Sequence, residues 1–242
     1  DIFGHHRFKP ARLFKMVRSK AYLFRGVEIR WRCAENRLRG RNDIPARETL
    51  HFPGGLAGYL GGALNERAVI NPTPFTGEAS LTGDGARVEW ALSWVDGGDT
   101  FMRSYCNTVP TPMGGTHETG LRAVLTRGLK AYGEMVGNRR AAQITAEDVF
   151  AELCGLLSVF IRNPEFQGQT KDKLNNPEVR GLVDSVVRPA LEQWLHQHKS
   201  WGEAPKKSAM TQTGSQTSVS MTSSSRMGEG VGDVFTAQGV SG

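Results

Sequence analysis

Apolar residues recur at helical spacing near the start of the chain. Leu13, Val17, Ala21 and Phe24 are separated by four, four and three positions, with Pro10 placed for a first turn, and this predicts a helix over residues 8–24. Gly26 ends it, and Val27, Ile29 and Trp31 then alternate with Glu28, Arg30 and Arg32 in the period of a half-buried strand. From Cys33 to Leu50 the chain turns polar around Pro45 and reads as a loop or hairpin tip joining two units. Gly54 to Leu64 predicts a helix weakened by five glycines.

Val88, Trp90, Leu92 and Trp94 alternate with Arg87, Glu89, Ala91 and Ser93, and Asp96-Gly97-Gly98-Asp99 supplies a turn before Phe101 to Cys106, so residues 87–106 predict a hairpin. After Gly114-Gly115-Thr116 comes a helix with Leu121, Val124, Leu125, Leu129 and Tyr132 on one face and Arg122, Arg127 and Lys130 on a different arc. Thr145 with Asp148 predicts a capping box opening a short helix to about Leu153, followed by an apolar strand from Leu156 to Ile161. Residues 162–176 read as a polar loop. Asn176-Pro177 predicts the cap and first turn of a last helix facing inward through Val179, Leu182, Val183, Val186, Ala190 and Trp194, with Pro189 expected to kink it.

Beyond Ser200 the chain is dominated by Ser, Thr, Gly and Gln without Leu or Ile, and residues 200–242 read as disordered. The chain as a whole has 38% hydrophobic and 22% charged residues, enough for a packed core, and no apolar run of the length of a membrane span, so a soluble protein is expected. The net charge of +6 suits a polyanionic partner without requiring one. Cys33, Cys106 and Cys154 are odd in number and lack a CxxC pair, which indicates neither a disulfide framework nor a zinc site and fits a reducing cytoplasm. No leader pattern precedes the first helix, and the chain, opening on Asp1, is expected to begin inside a domain.

The run Pro164-Glu165-Phe166-Gln167-Gly168-Gln169-Thr170-Lys171-Asp172-Lys173-Leu174 resembles the QTK loop of the B subunits of bacterial type II DNA topoisomerases, gyrase and topoisomerase IV. Met113-Gly114-Gly115-Thr116-His117-Glu118-Thr119-Gly120-Leu121-Arg122 is similar to the segment opening the long transducer helix of that family, and Val88 to Asp96 to its first hairpin strand. Arg7-Phe8 and Gly26-Val27-Glu28-Ile29 resemble the last helix and strand of the family's GHKL-type ATPase domain. Thr145-Ala146-Glu147-Asp148 and Trp194 are closer to the topoisomerase IV branch than to the gyrase branch.

The resemblance implies an α+β fold. Residues 1–33 would be the end of a GHKL ATPase domain, 34–50 a linker or hairpin tip, 51–199 a transducer domain of the ribosomal protein S5 domain 2 type, and 200–242 a tail outside the family. The transducer would be a two-layer sandwich with a left-handed βαβ crossover, against the usual handedness. It also implies an ATP-dependent enzyme that relaxes and decatenates DNA. ATP binding would dimerise two B subunits around double-stranded DNA, with an A subunit completing a heterotetramer in the bacterial cytoplasm, away from membranes. Gln169 and Lys171 would reach the terminal phosphate of ATP. The residues holding most of the ATP and its Mg2+ would lie upstream of Asp1, so the chain alone is expected to be inactive.

Other readings stand beside these. Gly114-Gly115-Thr116 fits neither GxGxxG nor a P-loop and reads as a flexible helix start capped by Thr116 ahead of the alternative, a direct phosphate contact at the helix N-terminus. His117-Glu118 lacks the second histidine of a metalloprotease signature, since position 121 is Leu, so no metal site is expected. Arg122, Arg127 and Lys130 are either a solvated face or, by resemblance, DNA-binding residues lining the clamp, Arg122 first. The competing function readings are a gyrase B subunit and a non-enzymatic basic nucleic-acid-binding module of the same fold, which would have no use for the QTK loop.

Overall fold

Pro10, whose ring presets the backbone for a first turn, opens helix α1 (Pro10–Leu23), which buries Phe14, Ala21, Tyr22 and Leu23. The computed structural model describes residues 8–199 apart from 39, 41, 42, 66, 72, 82 and 84; the tail expected to be disordered lies outside the described residues. Strand β1 (Glu28–Arg32) half-buries Ile29 and Trp31 and exposes Glu28, Arg30 and Arg32, as its alternation predicts. The polar stretch after it is a hairpin tip, and the returning strand begins before residue 50. β2 (Arg47–His51) pairs antiparallel with β1, setting Leu50 opposite Ile29 and Glu48 opposite Trp31. Its sequence RETLH carries one strongly apolar side chain, Leu50, which joins Phe14, Ala21 and Ile44 in a small core. One such residue is too little to show a period.

Helix α2 (Gly55–Leu64) forms despite its glycines because Leu56, Tyr59, Leu60 and Leu64 fall on one face and are all buried. Burial outweighs the roughly 1 kcal/mol per residue that glycine loses in a helix.

Strands β3 (Phe75–Ser80), β4 (Arg87–Trp94), β5 (Phe101–Cys106), β6 (Val109–Pro110) and β7 (Leu153–Phe160) form a mixed sheet in the order β3-β4-β7-β5-β6. β4 and β5 are therefore not the arms of a hairpin. β7 lies between them, antiparallel to β4 and parallel to β5. Its sequence LCGLLSVF is buried at every position but the last, and a strand so apolar on both faces is stable in the middle of a sheet. β3, FTGEAS, is an edge strand anchored by the buried Phe75, and its small and polar residues gave no sequence signal.

Helices α3 (Thr116–Met135) and α5 (Glu178–Gln197) pack on one face of the sheet, against Val88, Trp90, Leu92, Leu157 and Val159. On that side the fold has two layers. The opposite face, through Ala91, Tyr105, Cys154 and Leu156, is covered by Tyr22 and Leu23 of α1 and by Leu56, Tyr59, Leu60 and Leu64 of α2, so a third layer is present. This layer explains why the polar positions of β4 are not solvated. Glu89, 2% exposed, accepts from the Arg25 guanidinium at 2.9 Å, and Ser93 donates to Asn71 Oδ1 at 3.1 Å. Tyr22 and Tyr105 share a buried hydroxyl contact between the same layers, and burial raises the pKa of both.

The Thr145–Asp148 capping box is present and opens α4 (Ala146–Ala151). α5 runs unbroken across Pro189, which is exposed; so is Ser185, whose carbonyl loses its helical donor and can turn to water. Its fully buried stripe is Val179, Val183, Val187, Leu191, Trp194 and Leu195, rotated from the predicted face, so that Leu182, Val186 and Ala190 are only half-buried.

Candidate functional site

The connection from β7 to α5 is more ordered than its polar sequence suggests. Phe166 bridges antiparallel to Leu174, the Gln167 amide donates to the Lys173 carbonyl at 2.9 Å, and the Asn175 amide donates to the Glu165 carbonyl at 2.8 Å. These bonds make a narrow ladder with residues 168–172 at its tip. Asn176, expected as the cap of α5, instead clamps the base of the ladder. Its Oδ1 accepts from the Glu165 amide at 2.6 Å, and its side-chain amide donates to the Asn163 carbonyl at 3.1 Å and to Glu178 at 2.7 Å. Pro177 takes the capping position without a side-chain bond.

Gln169 and Lys171 are both exposed at the tip. Lys171 is held in the left-handed region at φ 60°, and its ammonium lies 5.7 Å from the centroid of the Phe166 ring. A non-glycine residue there costs on the order of 1 kcal/mol or more and persists only where neighbours impose it. The ladder imposes it here.

One leg of the ladder is registered on the segment that precedes α3. The Met113 amide donates to the Asp172 carbonyl at 2.9 Å, the Leu174 amide to the Gly114 carbonyl at 3.1 Å, and the Thr116 amide to the Leu174 carbonyl at 3.0 Å. The helix cap is Gly115, at φ 142°, and not Thr116, whose hydroxyl is buried with no partner among the described residues. With the Thr116 amide committed to Leu174, this helix start holds a protein carbonyl.

Beneath that segment lies a polar knot that sequence reading missed. His117 is 0% exposed, and its Nε2 lies 3.1 Å from Thr111 Oγ1. Thr111 Oγ1 is 2.7 Å from Ser104 Oγ, and Ser104 donates to Glu118 Oε1 at 2.5 Å. Burial pushes the His117 imidazole down to about 4, so it is neutral near pH 7. The Thr111 carbonyl also accepts from the Gly114 amide at 2.8 Å, joining the knot to the segment under the ladder. Among the described residues no group of three or more His, Cys, Asp or Glu side chains could hold a metal ion.

The three basic residues of α3 do not share one surface. The Arg122 guanidinium stacks 4.1 Å over the Phe150 ring of α4, Arg127 pairs with Asp184 of α5, which also binds Arg188, and Lys130 is half-buried. Arg122 leans to one flank of the helix and Arg127 to the other.

The sequence profile of the DNA gyrase B family matches residues 55–218, running from α2 through the ladder and past the last described helix. The chain is 51% identical over 200 residues to the B subunit of DNA topoisomerase 4 from Caulobacter vibrioides and 47% identical over 197 residues to that from Bartonella bacilliformis, covering 81% of this chain in each case. The chain belongs to the B-subunit family of bacterial type II DNA topoisomerases. It spans 28% of the length of either relative. Two solved members of the family have the same α+β architecture. The ATPase domain of gyrase B from Thermus thermophilus matches with a TM-score of 0.67 and 27% identity, covering 86% of this chain and 54% of that one. The ATP-binding domain of topoisomerase IV from Francisella tularensis matches with 0.66 and 29%, covering 87% and 56%. The β1–β2 hairpin, the mixed sheet and the exposed lysine ladder are thus parts of a topoisomerase B-type chain.

Proposed function

We propose that this chain is the transducer-bearing part of a topoisomerase IV B subunit, and that its lysine ladder senses the terminal phosphate of ATP. The observation that carries this is an exposed cation at the tip of a ladder whose base and one leg are fixed by backbone and Asn176 hydrogen bonds. Such an amine is free to meet a ligand and is still aimed. In this reading residues 1–33 close a GHKL ATPase domain, and 51–199 form a transducer of the ribosomal protein S5 domain 2 type with a left-handed crossover between β5 and β7. The relatives' own assignment to topoisomerase 4 supports the branch.

The residues present fit one contact of the nucleotide and no more. Lys171 and Gln169 offer an ammonium and an amide, while no group of three or more His, Cys, Asp or Glu side chains among the described residues could hold the Mg2+ that accompanies ATP. Bound ATP supplies the terminal phosphate; Lys171 donates to it, and the ladder carries the resulting pull into α3 and the sheet. The parent protein pairs with a second B subunit around double-stranded DNA and with the A subunit, in the cytoplasm. No helix among the described residues is long and apolar enough to cross a membrane. The test is strand passage: the full-length B subunit with its A subunit is expected to decatenate linked DNA circles with ATP and to fail with ADP. Decatenation without nucleotide would remove the reading.

Arg122 gives a second measurable outcome. If Arg122 contacts a DNA phosphate, Arg122→Ala in the full-length protein should lower the slope of log affinity against log salt by about 0.9. An unchanged slope in a salt titration would leave Arg122 with only its stacking on Phe150.

A further inference from the structure

We infer that Ser104, Thr111, His117 and Glu118 form a polarised hydrogen-bond relay that positions the lysine ladder, so that His117 acts on the nucleotide through Lys171. This rests on the reading of Lys171 as the phosphate sensor.

The direction of the relay follows from its acidic end. Ser104 Oγ also lies 3.2 Å from the Thr111 carbonyl, but that carbonyl and the Glu118 carboxylate both only accept, and the closer carboxylate, at 2.5 Å, takes the Ser104 proton, leaving Ser104 Oγ as the acceptor for Thr111. Thr111 Oγ1, having given its proton to Ser104, must accept from His117, which fixes the imidazole in the Nε2–H form. The remaining atom agrees: Nδ1 is buried with no partner among the described residues, and a bare lone pair is cheaper to leave there than an unpaired N–H. All four side chains are then joined in series, and the relay ties β5, the turn at Thr111 and the first turn of α3 into one body.

That body is the bed of the ladder. Gly114 and Gly115 are held between the Thr111 carbonyl on one side and Leu174 on the other, and Met113, Gly114 and Thr116 supply the backbone bonds that register residues 172–174 on this segment. Lys171 is the next residue along the chain. If His117 loses its donor, the turn loses its anchor and the register of the ladder loosens, while the exposed tip keeps its own composition.

The test uses the full-length B subunit and a non-hydrolysable ATP analogue, read as the analogue concentration giving half-maximal dimerisation, beside ADP affinity and the thermal midpoint. His117→Leu and Thr111→Val are each expected to raise that concentration about tenfold, the scale of a misplaced charge-assisted contact, with ADP affinity unchanged because ADP lacks the phosphate that Lys171 meets. His117→Gln, whose amide keeps a donor, should recover most of the loss. In a Lys171→Ala background His117→Leu should add nothing. Equal weakening of ADP and analogue, or independent effects that multiply in the double variant, would overturn the positioning role while leaving the lysine reading intact. If Lys171→Ala alone changes nothing, the lysine reading itself fails. Should His117→Leu not fold, Thr111→Val carries the same outcomes.

Discussion

Gly115→Ala should destabilise the chain by about 3–4 kcal/mol, the sum of a strained backbone angle and a forced separation of two packed segments. At φ 142° a side chain is strained whatever the space around it, and there is no space: a Cβ would sit 2.6 Å from the Leu174 amide nitrogen and 2.9 Å from its Cα, with the carbonyl oxygen nearer still. These are backbone atoms on the registered leg of the ladder, so the strain is relieved only by pushing the ladder away. For a domain of this size the loss corresponds to a fall of roughly 6–16 °C in melting temperature, measurable by thermal denaturation. Gly114→Ala is the comparison. Its φ of 66° is more readily tolerated, and its Cβ would meet the end of the Glu118 side chain, 2.7 Å from Oε2, a flexible group that can shift at the expense of its bond from Ser104. It should cost about 1–2 kcal/mol. Equal losses at the two positions would mean that the close approach of Leu174 is not what demands glycine at 115.

That glycine shows what a sequence reading could and could not reach. Gly114-Gly115-Thr116 was legible as a helix start, and the helices on either side of it followed from their apolar spacing. The reason for the second glycine was not legible, because the atom it accommodates belongs to Leu174, 59 positions away. The same limit produced the hairpin error. A Gly-rich turn between two alternating segments is a strong local signal for a hairpin. Whether a third strand inserts between the two arms depends on β7, whose apolar run could have belonged to any buried element. Glu89 and Ser93 look solvent-facing in the sequence for a related reason: the helices that cover them, α1 and α2, come from segments whose place on the sheet no local pattern displays.

Within the candidate site, the sequence displays a resemblance but not the construction that holds it. The run from Pro164 to Leu174 carries a resemblance strong enough to single out Gln169 and Lys171 without any fold, since it is contiguous. Asn176 reads as a helix cap because an Asn before a Pro at a helix start usually is one; the loop it clamps supplies two backbone partners that local sequence does not display. His117 escapes notice for the opposite reason. Its partners Ser104 and Thr111 are ordinary hydroxyl residues scattered over β5 and a turn, and only the folded sheet assembles them.

The ladder also fixes what removing its cation should do. If Lys171 meets the terminal phosphate as proposed, Lys171→Ala in the full-length B subunit deletes one charge-assisted hydrogen bond worth about 1.5–3 kcal/mol, so nucleotide-driven dimerisation and ATP turnover should fall roughly tenfold to a hundredfold. The fold should be spared. Lys171 is exposed, its ammonium lies 5.7 Å from the centroid of the Phe166 ring, and alanine keeps the Lys171 amide bond to the Gly168 carbonyl at 3.4 Å. The alanine must still adopt φ 60°, a strain the lysine already bears, so the thermal midpoint should move little. The two readouts therefore separate, with function lost by at least about tenfold and stability held, and ADP affinity unchanged because its shorter phosphate chain ends before the amine. Lys171→Arg keeps the charge but presents a planar fork in place of a compact ammonium, and should recover part of the loss. Wild-type turnover and strand passage in Lys171→Ala would mean that the exposed amine answers to no nucleotide, whatever its ladder is built to hold.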